Sequence, residues 1–109
     1  MNPLTVDHHD TASGPVLRVA GDLDFDRAPE LRRRIDDLPL SAGQCLVLDL
    51  SGLGFCDSSG ITALLAARQR ALAAEAEVVL AAVPASLLRV LSLVGLDRVF
   101  TLRPDSPSS

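Results

Sequence analysis

Lysine, tryptophan and tyrosine do not occur in this chain of 109 residues, and three phenylalanines make up its aromatics. Each absence removes a class of chemistry. Without lysine there is neither a Walker-type phosphate grip nor a Schiff-base nucleophile. A net charge of -4, no stacking aromatics beyond phenylalanine and no broad basic stripe argue against nucleic acid as a partner. Long apolar runs are missing too, so no membrane span is expected. Met1-Asn2-Pro3 opens no charged-then-apolar leader. The only histidines, His8 and His9, are adjacent, and on a strand they point to opposite faces. They make neither a paired ligand set nor an evident base. The two cysteines, Cys45 and Cys56, lack metal-ligand spacing. Both are expected to be reduced, with Cys56 in a small apolar role. The expectation is a cytoplasmic domain with no cofactor and no metal.

What is present is aliphatic. Apolar residues make up 48% of the chain, enough for one core built from Leu, Val and Ala. Residues 4–7 and 16–20 read as two strands, with turn chemistry over residues 11–15 making a hairpin. Asp26 is a candidate N-cap for a first helix with Pro29 in its first turn. Ala28, Leu31, Ile35 and Leu38 share one face of it. Arg32, Arg33 and Arg34 fan round the axis and read as solvated. Residues 45–50 form an apolar run suited to a central strand. A short loop with Gly52 and Gly54 follows. The second helix is expected over residues 58–74, burying Ile61, Leu64, Leu65 and Leu72. Arg68 falls on that same face, where its guanidinium must escape on its stem or meet an acid.

Residues 77–83 read as a strand and Pro84 opens a third helix, with Leu87, Leu88, Leu91 and Val94 on one face. Gly95 stands where a left-handed C-terminal residue is wanted. Residues 99–102 make a last strand. Repeated strand–helix–strand units predict an α/β fold with a mixed, mostly parallel sheet. One domain spans residues 1–103, and residues 104–109 form a flexible tail.

Enzymatic signatures are wanting. Ser58 is preceded by Cys56-Asp57, so the Gly-x-Ser-x-Gly elbow is absent. Gly52-x-Gly54 lacks the third glycine of a dinucleotide fingerprint. Asp22, Asp24 and Asp57 would hold Mg²⁺ only if the fold gathered them. A non-enzyme is the better reading.

The most informative stretch is Asp49-Leu50-Ser51-Gly52-Leu53-Gly54-Phe55-Cys56-Asp57-Ser58-Ser59-Gly60-Ile61. It places two hydroxyls and a carboxylate at the start of a helix, where N–H groups lack partners. An N-cap accounts for such residues by stability alone. The same helix end favours an anion, including a phosphate carried on serine. Phosphorylation adds about -1.5 to -2 charge. At ~6 Å from an acidic group it costs about 2–3 kcal/mol per unit charge pair at an effective dielectric near 20. That is ~30–200-fold in affinity.

Asp57-Ser58-Ser59-Gly60 after a strand ending Leu48-Asp49-Leu50-Ser51 closely resembles the phosphorylation loop of the STAS domain of bacterial anti-sigma factor antagonists. Gly21-Asp22-Leu23-Asp24 with Ala28-Pro29-Glu30-Leu31 resembles that family's first strand-to-helix junction. Residues 92–100, Ser-Leu-Val-Gly-Leu-Asp-Arg-Val-Phe, resemble its last helix-to-strand junction. The resemblance covers residues 4–103. It implies a single STAS-like domain with helices packed mainly on one side of the sheet.

The implied function is partner switching in transcription and stress response. The unphosphorylated protein binds an anti-sigma factor with serine kinase activity, freeing a sigma factor. Phosphorylation of Ser58 releases it, and a serine phosphatase resets the cycle. Partner-binding positions are then Asp24, Asp57, Ser58, Ser59, Gly60 and Thr62. Asp24 and Asp57 orient the loop or contact the kinase, Ser59 helps cap the helix, and Gly60 permits close backbone approach. Cys56, Arg27 and Thr62 depart from common family residues, and Arg27 and Thr62 bear on partner choice. A monomer forming hetero-complexes is implied. The alternative is a non-phosphorylated STAS scaffold subunit of a lipid-transport or stress-signalling complex. A nucleotide binder or small enzyme is the remaining reading.

Overall fold

The computed structural model describes residues 2–105. The chain opens on a hairpin of β1 (Thr5–Thr11) and β2 (Gly14–Leu23), antiparallel with Thr11 opposite Gly14. The Thr11 hydroxyl closes the turn: it donates to the Gly14 carbonyl at 2.9 Å and accepts from the Ser13 N–H at 3.2 Å. Both strands run longer than the sequence suggests, because β1 carries a polar run, Asp7 to Thr11, that shows no apolar alternation.

β3 (Cys45–Asp49) lies parallel to β2, β5 (Glu77–Ala81) parallel to β3, and β6 (Thr101–Arg103) parallel to β5. The order is β1-β2-β3-β5-β6. A strand that sequence reasoning took for a glycine-bearing loop, β4 (Leu53–Cys56), pairs in parallel with the far end of β2. Its four residues include Gly54 and an exposed Phe55, too short and irregular to signal a strand. The result is a single α/β domain with a mixed sheet of six strands and three helices among the described residues.

Alternation sorts the sheet. Leu17 and Val19 of β2, Leu46 and Leu48 of β3, and Val78 and Leu80 of β5 enter the main core with the helices. Val16, Val47 and Val79 form a smaller cluster on the other face, which contains no helix residue. Apolar residues on both faces of β3 are buried, as its sequence run suggests.

The helices are α1 (Ala28–Asp36), α2 (Ser58–Ala73) and α3 (Ala85–Leu93). α1 buries Ala28, Leu31 and Ile35, with Leu38 just past its end also buried. Asp26 is not its cap. The N-cap residue is Arg27, without a side-chain cap bond, and the preceding turn is closed by Asp24 instead. On α2 the buried residues are Gly60, Ala63, Leu64, Ala67 and Ala71, while Leu72 is 52% exposed. Glycine and alanine let this helix settle close to the sheet, and the larger Ile61 and Leu65 lie at its margins. On α3 only Leu87 and Leu91 are buried; Leu88 and Val94 are exposed. Gly95 ends α3 at φ 81°, a left-handed conformation that costs glycine little. A 3-10 turn at Leu96–Arg98 leads into β6, which extends to Arg103. Of the expected tail, residues 106–109 lie outside the described residues.

Candidate functional site

The site grows from the end of β3. The Asp49 carboxylate accepts the Ser51 N–H at 3.0 Å and turns the chain into β4. Beyond β4 the Asp57 N–H donates to the Leu23 carbonyl at 3.3 Å, which docks the start of α2 on the end of β2. Asp57 itself is extended, with φ -98° and ψ -169°. Its Oδ1 accepts from the Ser59 N–H at 2.9 Å and the Gly60 N–H at 3.1 Å. The cap is therefore the Asp57 carboxylate, not a serine hydroxyl, which corrects the role expected of Ser59. A carboxylate also suits the positive end of the helix dipole.

Ser58 is the first residue of α2 and is exposed. Its carbonyl accepts the Thr62 hydroxyl at 3.0 Å, one turn on. Gly60 is buried against Leu23 and Cys56. A Cβ there would stand 2.5 Å from the Cys56 Sγ and 2.7 Å from the Leu23 carbonyl oxygen. This is the close approach that the sequence motif implies for Gly60.

Asp57, Ser58, Ser59, Gly60 and Thr62 thus share the first turns of α2. Asp24 lies at the neighbouring end of β2 but is engaged elsewhere. Its carboxylate accepts from the Arg27 N–H at 3.0 Å and from the Arg27 Nη1 at 2.7 Å. Arg27 is thereby committed to holding the turn before α1. Asp22 accepts from the Asn2 N–H at 3.1 Å. The three aspartates do not gather, and no metal-ligand cluster occurs among the described residues.

Cys56 adjoins the site. Burial, with the Asp57 charge adding to it, pushes its thiol up to about 12. Its Sγ–H instead points at the Asp57 carbonyl, 3.6 Å away.

Two concavities flank Ser58. One, of about 500 Å3, runs between Asp57, Ser58, Ile61 and Thr62 of α2 and Val90 and Val94 of α3. The other, of about 210 Å3, lies between Ser59 and Thr62 on one side and Phe25, Pro29 and Arg32 on the other. Thr62 stands between the two. Phe25 is 75% exposed, and Phe55, Val90, Leu93 and Val94 are exposed as well. Sequence reasoning missed this apolar surround. The signal was there in Phe25, an aromatic set between Asp24 and Asp26 in a chain with only three aromatics.

Comparison with known proteins identifies the family and matches the fold. The family model described as "Mlab, STAS domain" matches residues 6–104. An anti-sigma factor antagonist from Mycobacterium paratuberculosis is 30% identical, over 94% of this chain and 86% of that one, with a TM-score of 0.73. The unphosphorylated form of the anti-sigma factor antagonist SpoIIAA superposes with a TM-score of 0.69 over 96% of this chain and 90% of that one, at 17% identity. A sulfate transporter family protein from Wolinella succinogenes has the same fold, with a TM-score of 0.71 at 16% identity over 83% of this chain and 75% of that one.

Proposed function

The chain belongs to the STAS domain family, and from that premise we propose that it is an anti-sigma factor antagonist switched by phosphorylation of Ser58. In this reading it binds an anti-sigma factor with serine kinase activity and so frees a sigma factor in the cytoplasm. The kinase then modifies Ser58 and the complex parts. A serine phosphatase restores the binding form. The domain itself is not an enzyme.

The observation that carries the reading is the division of labour between Asp57 and Ser58. Asp57 supplies the helix cap, and Ser58 keeps its side chain exposed at the first position of α2. A phosphate on Ser58 would meet N–H groups already taken by a carboxylate. Like charge keeps it off that carboxylate and turned toward the partner. Modification then changes the surface and leaves the fold alone. The exposed Phe25, Val90 and Val94 provide apolar contact around the serine, and Ser59, Gly60 and Thr62 shape the backbone and rim. Asp24 acts through Arg27, by holding the turn that presents Phe25.

The test is calorimetric titration of the cognate anti-sigma factor into the wild type, Ser58→Ala and Ser58→Asp. Ser58→Ala should bind as the wild type does and resist release by ATP. Ser58→Asp should bind ~30-fold more weakly or worse. Equal binding of Ser58→Asp would remove the electrostatic switch.

A second reading is a scaffold subunit of a lipid-transport or stress-signalling complex, with the same loop docking a partner and no phosphorylation. A solved structure with this fold belongs to a sulfate transporter family protein, so the fold also serves beside transporters. Unmodified Ser58 in cells under growth and stress, with co-purification of a transporter ATPase, would select it.

A further inference from the structure

The C-terminal half of α2, the start of β5 and the approach to β6 enclose a concavity of about 140 Å3 at the opposite end of α2 from Ser58. Its walls are Ala71, Leu72, Ala76, Val78 and Val99, and its one cation is Arg68. Arg68 is half-buried, and among the described residues it makes no hydrogen bond or ion pair. Glu77 borders the concavity but does not serve it. Val78 faces the helix-side core, so strand alternation sends the Glu77 side chain to the other face of the sheet. There it stands opposite Cys45, and its charge adds to burial in raising that thiol. In a lining that also includes Thr101, the Arg68 guanidinium thus has no carboxylate within ion-pair distance among the described residues.

The concavity adjoins an open sheet edge. β6 ends the strand order. The Arg103 carbonyl turns inward and accepts the Ala82 N–H at 2.9 Å. Backbone groups alternate in direction along a strand, so the N–H and carbonyl of Leu102 face outward. An unpaired edge is a template for another strand. The volume also limits the occupant. Small-molecule sites span about 300–1,000 Å3, so this one suits a single side chain.

We propose that β6 and Arg68 together form a docking point for an extended acidic segment of a protein partner. The segment pairs with Leu102 as an added strand. One of its Asp or Glu carboxylates takes the Arg68 guanidinium, a charge-assisted contact of the stronger kind. Helical rise puts Arg68 ~15 Å from Ser58. The two surfaces are therefore separate, and this one stays available whatever the state of Ser58.

The test uses the whole 15N-labelled chain and two blocked peptides, acetyl-Thr-Val-Glu-Val-Thr-amide and its Gln counterpart, followed by amide and arginine Nε–H shifts. The Glu peptide should perturb Thr101, Leu102, Arg103 and the Arg68 side chain. The Gln peptide should bind at least about tenfold more weakly, and Arg68→Gln should weaken the Glu peptide as much. Ser58→Asp should leave binding unchanged. Equal affinity for both peptides overturns the proposal, as does undiminished binding to Arg68→Gln or a set of shifts confined to the Ser58 end. Butyrate competing with the peptide at equal affinity would also overturn it, by making the concavity a small-acid site. The peptide pair decides the question on the wild type even if Arg68→Gln does not fold.

Discussion

Gly60 of α2 lies so close to Cys56 of β4 that a β-carbon on the glycine would stand 2.5 Å from the sulfur. The helix therefore rests on the strand through a contact only glycine allows. Gly60→Ala should destabilise the domain by about 1–3 kcal/mol, the usual cost of overpacking. Urea unfolding measures it. Adding Cys56→Ala should recover part of the loss and no more, because the Leu23 carbonyl oxygen is nearly as close, at 2.7 Å.

The helix cap gives a second expectation. Asp57→Ala leaves the Ser59 and Gly60 N–H groups without their acceptor and should cost about 0.5–2 kcal/mol. Ser58→Ala and Ser58→Asp should each stay within about 0.5 kcal/mol of the wild type, as exposed changes do. Thermal melts of the three variants separate the capping residue from the proposed phosphoacceptor. A large loss in Ser58→Ala would mean that the serine, too, holds the helix.

The ion pair before α1 is mostly buried, with side chains 26% and 22% exposed for Arg27 and Asp24. Asp24→Ala removes the guanidinium contact and the shorter of the two acceptors of the Arg27 N–H, the Asp24 carbonyl at 3.2 Å being kept, and should cost about 1–2 kcal/mol. Asp24→Asn keeps the backbone acceptor and should cost less. Partner affinity should fall in the same order, since the turn carries Phe25.

Cys56 should be inert to thiol reagents at neutral pH. Its folded value of about 12 lies above the ordinary thiol range near 8.5, so the unfolded chain loses this proton first. Stability is then unaffected below the ordinary range and falls as pH rises from about 9 toward 12. Denaturant midpoints across that window should drop for the wild type and drop less for Cys56→Ala. Alkylation by iodoacetamide, followed by mass spectrometry, should climb with pH through the same window.

Much of this was legible from residue patterns because the strongest signals coincide with the most buried elements. The apolar run of β3 and the Asp57-Ser58-Ser59-Gly60 start of α2 fell where expected. The face of α2 did not, since hydrophobic size was taken as the guide to burial. Ala63, Ala67 and Ala71 go inside because the helix sits close, and Leu72 is left out. Leu88 and Val94 misled in the same way on α3, where exposed aliphatics border the sheet edge and the Ser58 concavity. β4 and the Asp24–Arg27 pair were invisible because both are set by where β2 ends, a tertiary fact without a local pattern.

Since Asp57 holds the start of α2, the residue after it is free of structural duty. A codon change from serine to alanine would leave the fold intact and the partner surface open. Under the proposed switch, a duplicated copy of the gene would then pass from a responsive regulator to an unresponsive one in one step, with no intermediate that fails to fold.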